Sequence, residues 1–78
     1  MAIDDGRGYI EVYNEKKVRI GYIGDVSYGD FSYTVVDDLD CARKYMQEDL
    51  LFHDTIFLQG YCFSESHYFV PKMPFSYV

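Results

Sequence analysis

Apolar and polar residues alternate in three segments of the first half of the chain. In residues 9–13, Ile10 and Val12 fall on one face, and the same alternation recurs in residues 18–23 and 31–36. Successive side chains of a β-strand point to opposite faces, so a period of two residues is typical of a half-buried strand. The pattern therefore predicts three strands.

The connections between these strands are short. Residues 14–17 are polar and residues 24–29 contain two glycines, so both stretches predict turns or loops. In the second segment, Val18, Ile20 and Tyr22 share one face. Consecutive strands with short connections pair side by side in opposite directions, which predicts an antiparallel meander.

The apolar period becomes helical after the third segment. Leu39, Ala42, Met46 and Leu50 recur at intervals of three and four residues, which predicts a helix that ends near Phe52. The acidic residues before and within its first turn favour the positive end of the helix dipole.

Two local interactions are expected at this helix start. The side chain of Asp37 or Asp38 is placed to cap the first turn by accepting a hydrogen bond from a main-chain N–H group. Asp40 and Lys44 are four residues apart, a spacing at which opposite charges meet on a helix surface.

Two further strands are expected after the helix. Residues 55–59 are rich in β-forming side chains, and the strand is predicted to continue past a bulge or turn at Gly60 to residue 63. Residues 67–70 predict the fifth strand, and residues 71–78, which contain two prolines, predict a C-terminal tail.

These elements define the expected fold. The sequence predicts one α+β domain over residues 1–78, built as a two-layer sandwich with elements in the order β-β-β-α-β-β. An antiparallel sheet of four to five strands packs on one helix, because the apolar stripe of the helix needs an apolar sheet face to cover.

Aromatic residues are unusually frequent. The 78 residues include nine tyrosines and six phenylalanines, which make up 19% of the chain. One small interior cannot hide all of these rings. Some tyrosines are therefore expected on the surface, where their amphipathic rings suit contact with another protein.

The net charge of −6 and its distribution indicate the kind of partner. This charge repels a phosphate backbone and argues against direct nucleic-acid binding, whereas it favours a basic protein surface. Between Gly21 and Ala42 there are five acidic residues and no basic residue. The predicted partner-binding residues are Asp25, Asp30, Asp37, Asp38, Asp40, Glu48, Asp49 and Tyr28. The alternative is a solvated acidic face that only keeps the protein in solution.

The sequence contains no motif for catalysis, a metal or a cofactor. Cys41, His53, Cys62 and His67 lack the close pairs typical of zinc sites, and Ser66 and His67 are only neighbours in sequence. We therefore predict no catalytic residue, no metal ligand and no cofactor, and a protein that is not an enzyme.

The expected location is the cytoplasm. The N-terminal residues lack the apolar stretch of a signal peptide, and no apolar run is long enough to span a membrane. Two cysteines fit a reducing compartment.

In size, charge and aromatic content the chain resembles a general type of protein, the small acidic inhibitors of bacterial defence that phages encode. Anti-CRISPR and anti-restriction proteins belong to this type, and several present carboxylates to the nucleic-acid-binding surface of a nuclease complex. The resemblance rests on no residue motif, so it transfers no functional residue. It implies a non-enzymatic inhibitor that docks an acidic, tyrosine-rich surface on a basic patch of a nucleic-acid-handling complex, in the manner of a DNA mimic.

A second interpretation stays open. The aromatic surface is also consistent with a structural or assembly protein that self-associates, for example as a homodimer.

Overall fold

The computed structural model describes residues 8–61 and 66–72. Four strands form one antiparallel sheet in the order β3-β2-β1-β4, and one helix packs against it. The elements are β1 (Tyr9–Tyr13), β2 (Arg19–Ser27), β3 (Ser32–Val36), α1 (Glu48–Tyr61) and β4 (Tyr68–Lys72), with a 3-10 turn at Leu39–Cys41 before α1. The predicted α+β class and the layer of one helix on one sheet are confirmed.

The antiparallel meander is also confirmed. β1 pairs with β2, and β2 pairs with β3. In the β1–β2 turn, Asn14 Oδ1 accepts hydrogen bonds from the main-chain N–H groups of Lys16 at 2.8 Å and Val18 at 3.1 Å. Lys17 adopts a left-handed conformation there, with φ at 65°. The Asn side chain thus holds the turn that sets the register of β1 and β2.

β1 is a central strand, because its second edge pairs with β4. This position explains why Tyr9, Ile10, Glu11 and Val12 are all buried. Pro71 lies within β4 and pairs with Ile10, so the predicted tail begins later than residue 71. Proline is tolerated here because β4 is an edge strand and does not need every N–H group for pairing. Residues 73–78 of the predicted tail lie outside the described residues.

The second segment buries the face opposite to the one that carries Val18, Ile20 and Tyr22. Val18 and Ile20 are 56% and 40% exposed, whereas Ile23 is fully buried. The helix packs mainly on β4 and β1, so it does not cover the start of β2. A register shift in β1 between Val12 and Tyr13 further interrupts the simple alternation at this end of the sheet.

The predicted helix is wrong in position. Residues 39–41 form only a 3-10 turn, and α1 begins at Glu48. The main chain of Tyr45 forms an isolated β-bridge with Gly8, with N···O distances of 2.8 and 2.9 Å. The segment around Tyr45 is therefore extended rather than helical. Met46 is accordingly 72% exposed.

The predicted strand at residues 55–59 is also wrong, because these residues form the middle of α1. Leu51, Asp54, Thr55 and Leu58 are buried at intervals of three and four residues, which is the helical period. The predicted bulge at Gly60 also lies in α1, and residues 62 and 63 are outside the described part of the chain.

The cap at the 3-10 turn is confirmed for one of the two candidates. The side chain of Asp38 accepts a hydrogen bond from the N–H group of Asp40 at 3.0 Å. Lys44 does not make the helical pair expected with Asp40. Its ammonium group donates to the carbonyl oxygens of Leu39 at 2.6 Å and Ala42 at 3.2 Å, because this segment is not helical.

The core lies between the sheet and α1. It comprises Ile10, Val12, Ile23, Tyr45, Leu51, Phe57, Leu58 and Phe69. Burying each of the aliphatic side chains stabilises the fold by about 1.5–3 kcal/mol relative to exposure. Tyr33 of β3 lies 5.3 Å from Phe69 of β4, ring centre to ring centre, although these strands are opposite edges of the sheet. The two rings therefore meet across the face of the sheet.

Candidate protein-binding surface

The turn between β2 and β3 presents two aromatic side chains to solvent. It spans residues 28–31, and Ser27 pairs with Ser32 on either side of it. Tyr28 is 44% exposed and Phe31 is 57% exposed. Phe31 has a φ of 52°, in the left-handed region that favours glycine or asparagine. A large, exposed aromatic residue thus occupies a position where glycine, which has no Cβ, would be less strained.

These two rings meet aromatic residues of α1. The Phe31 ring stacks on Tyr61 at 5.4 Å and on Phe57 at 6.1 Å, with interplanar angles of 24° and 20°. The Tyr28 ring meets Phe57 edge to face at 4.5 Å and lies 5.7 Å from His53. We call Tyr28, Phe31, Phe57 and Tyr61 the aromatic cluster.

The aromatic cluster has a buried base and an exposed rim. Phe57 is 9% exposed and belongs to the core, whereas Tyr61 is 65% exposed. Phe57 and Tyr61 are one helical turn apart, which places them on the same side of α1. The core therefore fixes the positions of three exposed rings, an arrangement suited to contact with another molecule without much loss of side-chain entropy.

Other apolar side chains of α1 are also exposed. Leu50, Phe52 and Ile56 are 53%, 43% and 70% exposed. Phe52 and Ile56 are again one turn apart. These two side chains therefore form a contiguous exposed apolar area, and large areas of this kind usually mark an interface.

Two of the predicted acidic residues flank the aromatic cluster. Asp30 lies in the same turn as Tyr28 and Phe31, and its carboxylate accepts a hydrogen bond from Ser27 Oγ at 3.3 Å. Asp25 lies near the end of β2, and its side chain is 73% exposed although Arg43 is 3.6 Å away. An exposed pair at this distance leaves the carboxylate largely available to a partner.

The other predicted acidic residues lie elsewhere. Asp37, Asp38 and Asp40 follow the far end of β3, and the five residues of that strand separate them from Asp30 by about 17 Å. Glu48 and Asp49 occupy the first turn of α1, where the helix dipole favours negative charge. All of the predicted residues are exposed, but they form three separate groups rather than one cluster.

Unlike the predicted acidic residues, Asp54 is buried, and it is bonded to other side chains. Its carboxylate accepts a hydrogen bond from the hydroxyl of Tyr45. Arg43 Nε lies 3.7 Å from the same carboxylate, and the guanidinium lies 5.3 Å from the centre of the Tyr45 ring. Burial raises the pKa of Asp54 and also that of Tyr45. This group of side chains fastens the segment before α1 to the helix.

A second buried carboxylate lies in the central strand. Glu11 accepts a hydrogen bond from the Tyr13 hydroxyl at 2.7 Å, and Arg19 and Lys72 lie 3.3 and 3.8 Å from its oxygens. The bond to Glu11 raises the pKa of Tyr13. Because Glu11 has partners from three strands, it is best explained as a structural residue of the sheet.

The residues considered for a metal or for catalysis do not converge in the described part of the chain. No group of three potential ligands occurs among residues 8–61 and 66–72. Cys41 is exposed in the 3-10 turn, and His53 lies on α1. His67 Nδ1 lies 2.6 Å from the hydroxyl of Tyr33. Cys62 is outside the described residues.

In residues 8–61 and 66–72, no helix has the length and apolar character needed to cross a membrane.

No protein-family model matches the sequence, and no curated protein or solved structure is significantly similar to it. The functional argument therefore depends on the geometry of the chain itself.

Of the aromatic cluster, the sequence predicted only Tyr28 as a binding residue. The other three do not stand out in the sequence, because its pattern predicts strands both for residues 31–36, which include Phe31, and for residues 55–63, which include Phe57 and Tyr61. The four-residue spacing of His53, Phe57 and Tyr61 is the signal that a correctly placed helix would have revealed.

Proposed function

We propose that this protein is a non-enzymatic inhibitor that binds another protein through the aromatic cluster and the carboxylates beside it. The single observation that supports this most strongly is the stacked, exposed pair Phe31 and Tyr61, with Phe31 in a left-handed conformation. The partner we propose is a basic surface of a nucleic-acid-handling complex.

The strain at Phe31 supports a binding role. An L-residue in the left-handed region costs roughly 1–2 kcal/mol, a cost that Gly at the same position would avoid. The contacts of Phe31 within this chain offset this cost, and more than half of the residue stays exposed to a partner. Strained residues of this kind cluster at functional sites, and rigid aromatic side chains are frequent binding hot spots.

The charges beside the aromatic cluster support a basic partner. Asp25 and Asp30 lie on the two sides of Tyr28 in the sequence and are both exposed. Their carboxylates attract arginine and lysine side chains, and an arginine can also stack on an exposed ring. The net charge of −6 accelerates encounter with a basic surface.

Self-association is the second candidate, and one observation favours it. Phe52 and Ile56, one turn apart, form a further exposed apolar surface on a different side of α1 from Phe57 and Tyr61. Two copies that pack these helical surfaces together would bury it. Light scattering distinguishes this candidate, because a protein that stays monomeric at micromolar concentrations does not support it.

Binding to the purified partner as a function of salt tests the proposal. The partner is first isolated from cell lysate, and the affinity of this protein for the purified partner is then measured at increasing ionic strength. We expect weaker binding as salt rises, because salt screens exposed charges. Asp25→Lys should weaken binding, whereas Glu15→Lys, in the β1–β2 turn, is the matched control that should not. Affinity that depends neither on salt nor on Asp25 contradicts the proposal.

A further inference from the structure

The two edges of the sheet differ in how they are protected. β4 carries Pro71 and Lys72, both of which discourage the addition of another strand. β3 has the sequence Ser-Tyr-Thr-Val-Val, without proline or charge and with three β-branched residues. Such an edge is the more favourable of the two for pairing with a further strand.

The outer edge of β3 is open in the part of the chain that the structure describes. There, β3 pairs with β2 alone and is the last strand of the sheet. Thr34 and Val35 are exposed on it. A strand edge of five residues can accept an extended segment of similar length through main-chain hydrogen bonds.

Carboxylates lie at both ends of this edge. Asp30 precedes β3 by two positions, and Asp37 and Asp38 follow it directly. Asp38 is occupied in part by the N–H group of Asp40, whereas Asp37 is exposed at the strand end. The edge is thus an uncharged strand between two negative ends.

This charge pattern disfavours a second copy of the chain as the occupant. Antiparallel pairing of β3 with itself over its whole length, centred on Thr34, would place Asp30 opposite Asp38 of the other copy. The same repulsion occurs at both ends of the pair. Like charges directly opposite one another destabilise paired strands.

We infer that the open edge of β3 accepts an extended segment of the partner, in which a basic residue stands at each end of about five uncharged, β-forming residues. The inference rests on the proposed binding function and names the partner's chemistry. The basic residue nearer Asp30 meets the exposed rings of Tyr28 and Phe31 as well as a carboxylate. Arginine fits this position better than lysine, because its guanidinium pairs with a carboxylate and stacks on a ring.

A seven-residue peptide tests the inference against the full chain. The probe is acetyl-Arg-Thr-Val-Thr-Val-Thr-Arg-amide, and the readouts are its dissociation constant and the hydrogen exchange of each main-chain amide of the protein. We expect alternate amides of β3 to become protected, because a paired strand uses every second residue of an edge. Two N-methylated peptides are compared, each methylated on one of the two alternating sets of main-chain amides. Only the form methylated on the amides that face β3 should lose binding.

Charge-reversed variants locate the ends of the segment. Asp30→Lys and Asp37→Lys should each raise the dissociation constant roughly fivefold, as expected for exposed pairs whose attraction becomes repulsion. Glu15→Lys makes the same change in net charge away from β3 and should leave binding within about twofold. A peptide of the same composition with both arginines at one end should bind more weakly.

Several outcomes would overturn the inference. These are the absence of β3 protection, protection of β4 instead, and equal loss for both N-methylated peptides. Protection of β3 that grows with protein concentration in the absence of peptide identifies a second copy as the occupant. If the peptide fails but the purified partner still binds in a salt-dependent way, the edge inference fails and the proposed function stands.

Discussion

Replacing Tyr45 with Phe tests the buried group of polar side chains that positions α1. The change keeps the ring in the core and removes only the hydroxyl that donates to Asp54. Both residues are 3% exposed, so water cannot readily replace the lost donor. The guanidinium of Arg43 also lies near this carboxylate, but its Nε is 3.7 Å away, which is too far for a strong hydrogen bond.

The expected loss in the free energy of unfolding at pH 7 is about 2 kcal/mol, the value of a hydrogen bond to a charged group. For a domain of this size, the melting temperature should fall by roughly 8–16 °C. Thermal and urea denaturation measure both quantities. A stability of roughly 4–12 kcal/mol, typical for this length, leaves the variant folded.

A double-mutant cycle with Asp54→Asn isolates the interaction. In that background the hydroxyl meets a neutral amide oxygen, so Tyr45→Phe should cost only about 1 kcal/mol. The coupling energy between the two changes is therefore about 1 kcal/mol. A cost below about 0.5 kcal/mol for Tyr45→Phe alone, or an equal cost in both backgrounds, would refute the reasoning.

Three further changes test other parts of the structure. Phe31→Gly should weaken partner binding about tenfold but shift the melting temperature little, because relief of the left-handed strain offsets the lost ring contacts; a large drop in melting temperature would make Phe31 a structural residue. The double change Asp37→Lys and Asp40→Lys spares the Asp38 cap, so a thermal melt should be nearly unchanged while partner affinity falls more than about tenfold if these carboxylates meet buried basic groups; normal binding would assign them to solvation. Asp54→Asn should gain stability relative to the natural protein as pH rises from below 3.8, measured by urea midpoints across pH, and a relative loss would contradict this.

The sign of the last prediction follows from the direction of the pKa shift. Burial raises the pKa of Asp54 in the folded protein above its ordinary value of 3.8. At a pH between 3.8 and the raised pKa, the folded state therefore binds a proton at Asp54 more readily than the unfolded chain does. The contribution of Asp54 to stability is present below pH 3.8 and is lost as pH rises through the raised pKa. Asparagine does not titrate, so the variant lacks this loss.

The local strand pattern was sufficient to predict the meander, because alternation and turn residues act over a few neighbouring positions. The helix position was not predictable in the same way. The spacing of Leu39, Ala42 and Met46 is that of a helix. The main chain of Tyr45 instead pairs with that of Gly8 in a β-bridge, so this segment does not form a helix. That bridge joins residues far apart in sequence, and no local pattern reveals it.

The candidate surface was predictable only in part. Tyr28 and Asp30 lie in the glycine-containing β2–β3 turn and Asp25 lies three residues before it, so their exposure follows from the local sequence. The stacking of Phe31 on Tyr61 depends on how the β2–β3 turn folds over α1, and the sequence separation of these residues hides it. The burial of Asp54 was likewise missed, since one acidic residue among many reads as solvated.

Photo-crosslinking from the aromatic cluster tests the central claim most directly. A benzoylphenylalanine at position 61 replaces the exposed ring of Tyr61. The same residue at position 18 serves as the control, where it replaces Val18, which directly precedes β2 and is 56% exposed. We expect position 61 to crosslink to a lysine- and arginine-rich segment of the partner, with a yield that falls as salt rises. Crosslinks from position 18 alone, or from position 61 to an acidic segment, would contradict the account.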